Sequence, residues 1–389
     1  MSQYERAPVT GGRIRERLLA LDVFRGMTVA GMLLVNNPGS WSAIHPPLAH
    51  AAWNGWTPTD LIFPFFLFIV GVTTHISLEA RRARGDDESA ITRQVLTRGA
   101  LIFVCGLLLA SFPWWPLTRF TEIRIPGVLQ RIALAYVGAS LLTRRGTIER
   151  QVLTLVALLF GYWFAMTLLP VPGQAGIGAN LLDDPSRSLA AWFDRLILDG
   201  HLWRQSRTWD PEGILSTVPA IGTAMLGVFA GRWLATARPL SERLSGLFAA
   251  GALAMMLGSM WHWSFPINKS LWTSSYVLFS GGMAATTLAT ILWLTDVHGS
   301  RWWTRPFVVY GLNPLVAFVG SGMMARVIYS LWQVEYDGRR VAIQAMLYRE
   351  FYASWLAPKD ASFAFALSFV LLWMAILWVL AKRNIVVKV

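Results

Sequence analysis

Apolar residues in this chain come in runs close to twenty long, separated by short stretches rich in Arg, Asp, Pro and Gly. About twenty residues of α-helix cross the hydrocarbon of a bilayer, so the pattern predicts membrane spans rather than soluble amphipathic helices. The runs fall at 19–36, 60–79, 97–112, 126–142, 151–170, 214–235, 244–263, 272–295, 306–332 and 362–381. Residues 340–356 mix polar and apolar positions and predict an interfacial or re-entrant helix, with an eleventh span as the alternative. The expected fold is all-α: a polytopic transmembrane helix bundle of about ten spans. It forms a single domain over 1–389 that opens with a basic segment at 1–18.

Composition agrees with this pattern. The 389 residues are 54% hydrophobic and only 14% charged, against about a quarter charged in soluble domains. Many of the 20 Trp sit at run ends, such as Trp53, Trp56, Trp114, Trp115, Trp302 and Trp303, where an indole lies at headgroup level. The net charge of +12 is spread over separate loops. That spread argues against nucleic acid and for chain orientation and contact with anionic lipid. One set of loops and termini carries 20 Lys and Arg and the other 11. The positive-inside rule therefore predicts both termini in the cytoplasm, with loops 37–59, 113–125, 171–213 and 264–271 outside. The N-terminus has no short apolar core with a small-residue cleavage site, so the first helix is expected to act as an uncleaved start. Cys105 is the single cysteine, which leaves no disulfide framework and no Cys metal site. No metal is expected.

Ionisable groups inside spans are costly and mark candidate sites. Asp22 and Arg25 share a helix face near the cytoplasmic end of the first span. They are either a stabilising ion pair or a phosphate contact. Loop 37–59 holds the densest chemistry, with His45, His50, three Trp, Asn54, and Asp60 opening the second span. A carboxylate or amide that holds one nitrogen of His50 leaves the other free as base or nucleophile. Asn36, Asn54 and Asp60 are the partners near in sequence. Arg124 stands at the outer mouth of the fourth span and Arg131 lies more than a turn inside it, where it needs a partner or an anion. Asp210 and Glu212 precede the sixth span, as helix caps or as contacts for a cationic acceptor. Asn268 and Lys269 occupy a tight outer loop, and GLNP at 311–314 breaks the ninth span.

The ordered segments LDVFRG, LLVNN, HAAWNGWTPTDLIFPFFLFIVG, RIPGVLQR, DPEGIL, PINKSLW and YGLNP resemble the heparan-alpha-glucosaminide N-acetyltransferase family over about residues 18–381. The resemblance implies acetyl-CoA as co-substrate and an amino sugar as acceptor. It also implies His50 as acetyl-accepting nucleophile or general base, with Asn36 as its polar partner near the acyl carbonyl. Asp60 is then expected to orient the imidazole, and Asn36 or Asn54 to donate to the oxyanion. Asp22, Arg25 and Arg131 are expected to hold the donor. Trp53, Asn54, Arg124, Glu212, Asn268 and Lys269 are expected to form the acceptor side. The loop between Asn36 and His50 looks a few residues longer than in the lysosomal members. The expected setting is a bacterial inner membrane, the expected acceptor an envelope or scavenged amino sugar, and a homodimer is an expected partner. The alternatives are a transporter or permease, or an acyltransferase with another acyl group or acceptor.

Overall fold

A computed structural model describes residues 12–116 and 121–387, with side chains from Leu19 onward. Residues 1–11 of the basic N-terminal segment lie outside the described residues.

Helix α1 (Gly12–Asn36) leads to a loop that crosses one end of the bundle. Then come α2 (Pro58–Arg82) and α3 (Glu88–Ser111), followed by α4 (Val128–Thr143) and α5 (Ile148–Leu168). A long loop carries the short α6 (Leu189–Leu198). Beyond it lie α7 (Ile214–Leu234), α8 (Leu240–Trp261) and α9 (Ser274–Leu292). The next span is split into α10 (Thr304–Leu312) and α11 (Pro314–Arg326). A two-stranded hairpin, β1 (Gln333–Tyr336) with β2 (Arg339–Ala342), precedes α12 (Ile343–Tyr348), and α13 (Pro358–Lys382) closes the chain.

Nine of the described helices are long and apolar enough to cross a membrane, and α4 is a shorter apolar one. Together these make the ten expected spans. Of residues 340–356, expected as an interfacial helix with an eleventh span as the alternative, 343–353 are helical and too short to cross, and 340–342 end the hairpin. Helix α3 starts nine residues before the apolar run because Asp87 caps it, accepting from the Ala90 amide at 2.7 Å. The span at 304–331 breaks at Asn313, since Pro314 has no N–H to offer the preceding turn. Asn313 is fully buried, and its amide grips the C-terminal tail through Ile385 O at 3.0 Å and Val387 N at 2.9 Å.

Several helix pairs pack backbone to backbone. Helix α2 lies so close to α7 that a Cβ on Gly71 would sit 1.9 Å from Ala224 O. Helix α1 approaches α10 as closely, with a Cβ on Gly311 meeting Asp22 O at 2.1 Å. Small residues permit such backbone approach where lipid supplies no hydrophobic drive between helices. On the outer surface Leu153, Phe160 and Phe164 are more than half exposed, as suits a surface covered by lipid tails.

Successive helices run in opposite directions, so five loops meet at one end. Loops are tied across sequence by Gly55 N to Ile267 O at 2.7 Å and Ile125 N to His201 O at 3.0 Å, and the first loop is tied to the start of α13 by Gly39 N to Ser362 O at 3.1 Å. This end carries His50. The opposite end carries the short basic turns and Asp22–Arg25.

Candidate active site

The site begins with how α2 starts. In the segment TPTD, Thr57 is the N-cap and Asp60 stands three residues on, the spacing of a capping box. Asp60 Oδ2 accepts from the Thr57 amide at 3.0 Å, the Thr57 hydroxyl at 3.2 Å and the Ala51 amide at 3.0 Å. Those bonds consume one carboxylate oxygen and fix the other. Asp60 Oδ1 then lies 2.7 Å from His50 Nδ1, with the Asp60 side chain 2% exposed and His50 49%. A buried carboxylate so placed holds the ring orientation and favours the tautomer with hydrogen on Nδ1. His50 Nε2 makes no hydrogen bond to any described residue, on a side chain that is about half exposed.

Lys269 completes the cluster. Its Nζ is 3.1 Å from His50 Nδ1 and 3.4 Å from Asp60 Oδ1. Burial lowers the Lys269 ammonium below the usual lysine range, and the charges of Asp60 and Glu212 partly restore it.

The neighbouring residues are largely committed to one another. Asn54 donates to Asp183 at 2.6 Å and accepts from Asn268 at 3.2 Å. Asn268 is fully buried and also accepts from the Leu271 amide, so it locks two loops together. Trp53 donates its indole N–H to Leu182 O at 2.8 Å and meets Trp209 edge to face. Arg124 forks onto Asp210 at 2.9 and 2.5 Å and reaches Glu212 at 2.5 Å. Burial works against the Arg124 cation, but Glu212 and Asp210 hold it above the ordinary arginine range. Asn36 ends α1 exposed, with its amide making no hydrogen bond to described residues. The two donor-site expectations separate: Asp22 and Arg25 pair at 3.0 Å beside Gly311 O, whereas Arg131 lies at the His50 end. There Arg131 is 1% exposed, bonds Gly213 O at 3.1 Å and the Ser216 hydroxyl, and faces the Trp272 ring at 5.1 Å. Its Nε and Nη1 have no partner among the described residues.

Sequence reasoning missed two groups. Asp194, on α6, caps α7 by accepting from the Ile214 amide at 2.9 Å, a role expected of Asp210 or Glu212. Tyr276 donates its hydroxyl to Asp60 O at 2.5 Å. Pro64 is the signal that could have found Tyr276, because it deprives the Asp60 carbonyl of its helical donor. Among the described residues no group of three His, Cys, Asp or Glu could hold a metal ion.

The fold and site define an all-α integral membrane protein with a carboxylate-held histidine at one end of its helix bundle. Residues 17–267 match the model of the family described as heparan-alpha-glucosaminide N-acetyltransferase, catalytic, and the chain belongs to that family. It is 29% identical to the human heparan-alpha-glucosaminide N-acetyltransferase over 369 residues, 82% of this chain and 55% of that protein. Against the mouse protein of the same name it is 29% identical over 377 residues, 84% of this chain and 56% of the relative. The chain thus spans about half the length of the curated relatives it matches.

Proposed function

We propose that this protein is a transmembrane N-acetyltransferase that moves acetyl from cytoplasmic acetyl-CoA to the amine of a glucosamine-type sugar on the other side of the membrane. The observation that carries the reading is the His50–Asp60 pair at 2.7 Å, with Nε2 free, inside the segment matched by the acetyltransferase family model. Membership of an N-acetyltransferase family supports the acyl group and the amine acceptor. The Lys and Arg asymmetry supports a cytoplasmic donor side at the Asp22–Arg25 end, and the membrane we assign is a bacterial inner membrane.

The chemistry follows from the free nitrogen. His50 Nε2 either takes the proton of the acceptor amine as that amine attacks the thioester carbonyl, or attacks the carbonyl itself and passes the acetyl on. Either way the carbon–sulfur bond breaks, the thiol of CoA leaves, and the acetyl group ends on the sugar nitrogen. Asp60 stabilises the positive charge that develops on the ring. Asn36, exposed and uncommitted at the end of α1, is the side chain able to donate to the carbonyl oxygen. At the opposite end Arg25, with Arg98 within electrostatic reach, offers charge to the phosphates of the donor. Trp53 and Glu212 border the acceptor side, a homodimer is the expected assembly, and membrane lipid surrounds it.

The test is release of free CoA by purified protein in detergent given acetyl-CoA and glucosamine. Release is expected to require the sugar and to fall by about three orders of magnitude in His50→Ala, the loss typical of a catalytic base or nucleophile. Unchanged release in that variant would remove His50 from the chemistry.

A further inference from the structure

Lys269 is not an ordinary surface lysine. Its loop is clamped on both sides: Asn268 is fully buried against Asn54, and Trp272 is 1% exposed in the left-handed region at φ 51°. That conformation is unfavourable for a Trp and persists only where the surroundings dictate it. Here Phe63, Tyr276 and the Arg131 guanidinium enclose the ring, and its N–H bonds Thr223 at 3.0 Å. The main chain turns back at this point through Trp272 N to Lys269 O at 3.1 Å, which aims the Lys269 side chain at the His50–Asp60 pair.

The three polar atoms form a triangle with sides of 2.7, 3.1 and 3.4 Å. His50 Nδ1 has one in-plane valence, so it carries a hydrogen or a lone pair and not both. If it carried a lone pair, Asp60 Oδ1 would face that lone pair at 2.7 Å with no proton between them. Nδ1 therefore carries the hydrogen and donates it to Asp60. The ammonium of Lys269 then has nothing to give Nδ1 and donates to Asp60 Oδ1 instead. Its charge nonetheless remains 3.1 Å from the ring, where it opposes a second proton on the imidazole. Asp60 attracts that second proton and Lys269 repels it.

We propose that Lys269 is a positioning residue which keeps His50 neutral, with hydrogen on Nδ1 and a free lone pair on Nε2, by setting a cation against the dyad. This inference rests on the acetyltransferase reading for its purpose, but not for its test. The charged groups facing Lys269 are Asp60 from α2, Glu212 from the segment before α7 and His50 from the loop after α1. Those facing His50 are Asp60 and Lys269. A lysine serving only as a structural ion pair would, when replaced, lower stability or turnover and leave proton affinity at His50 where it was.

Diethyl pyrocarbonate reacts with unprotonated imidazole, so its rate at His50, resolved by peptide mass spectrometry against pH, reads the ring without any turnover. In full-length protein the midpoint is expected to rise by about one pH unit in Lys269→Met, a tenfold gain in proton affinity, and to stay near wild type in Lys269→Arg. The acid limb of kcat/KM is expected to move with it. Coincident midpoints for wild type and Lys269→Met would overturn the proposal, as would an equal rise in Lys269→Arg. If Lys269→Met does not fold, the charge can be removed from folded wild type by amine acetylation, since Lys269 is one of only four lysines. Lys269→Arg is the control that this reagent cannot neutralise at that position. A midpoint that fails to rise in acetylated wild type overturns the proposal equally. A midpoint that rises in Lys269→Met while wild-type protein releases no CoA from acetyl-CoA and an amino sugar would leave this inference standing and count against the acetyltransferase reading.

Discussion

The Tyr276 hydroxyl donates to the main-chain carbonyl of Asp60 at 2.5 Å, replacing the helical bond that Pro64 cannot make. A ring on α9 thereby anchors the first turn of α2, the same turn that presents the Asp60 carboxylate to His50. Tyr276 is itself fully buried, so in Tyr276→Phe the carbonyl loses its donor with no water to replace it. The expected cost is about 1–3 kcal/mol, read as a lower thermal midpoint in detergent. Turnover should fall severalfold with the KM for the proposed donor, acetyl-CoA, unchanged, because the displaced atoms belong to the dyad and not to the end proposed to bind that donor. A variant as stable and as active as wild type would show that Pro64 and its neighbours hold the turn unaided.

Asp60 has two jobs that can be separated. Its Oδ2 caps the loop and α2, while its Oδ1 holds His50. Asp60→Asn keeps the shape, but an amide that turns its N–H toward Nδ1 forces the ring hydrogen onto Nε2. Activity is then expected to fall by about two to four orders of magnitude, with the protein still folded. Asp60→Ala should lose that activity and stability as well, since the Ala51 and Thr57 amides lose their acceptor. Comparing kcat with the thermal midpoint for the two variants checks the separation. Equal activity in Asp60→Asn and wild type would mean that the carboxylate charge is not used.

The spans were legible because membrane helices announce themselves by length and apolarity alone, and Asp60 because a carboxylate opens the second apolar run close to His50. What the sequence could not provide was partnership across distance. Asn54 and Asn268 are 214 residues apart, and nothing local in either predicts that they bond. Arg25 and Arg131 look alike as buried arginines in a linear reading. That likeness put both among the expected donor contacts, although the run order already set them near opposite faces, and their partners, Gly311 O for Arg25 and Gly213 O for Arg131, lie at opposite ends of the bundle. The hairpin at 333–342 escaped notice because four-residue strands carry too little alternation to stand out from a polar loop.

Asp194 gives a pH dependence whose sign is fixed by its surroundings. Burial, with added repulsion from Asp210, pushes its carboxyl up to about 6, against the partial relief of the Ile214 amide bond and the Arg131 charge. A carboxyl raised in the folded state favours the protonated form there. Its contribution to stability is therefore fully present below the unfolded value near 3.8 and is lost as pH rises through about 6. The loss amounts to roughly 3 kcal/mol by pH 7. Asp194→Asn carries no charge at any pH and keeps an oxygen able to accept from Ile214 N. Its thermal midpoint is expected to match wild type near pH 4 and to exceed it by several degrees at pH 7.5. The decisive quantity is the difference between the two midpoints, because every other titrating group contributes to both proteins. Parallel curves across that range would mean that Asp194 ionises in the fold as freely as in the unfolded chain, and that its bond to Ile214 outweighs the burial around it.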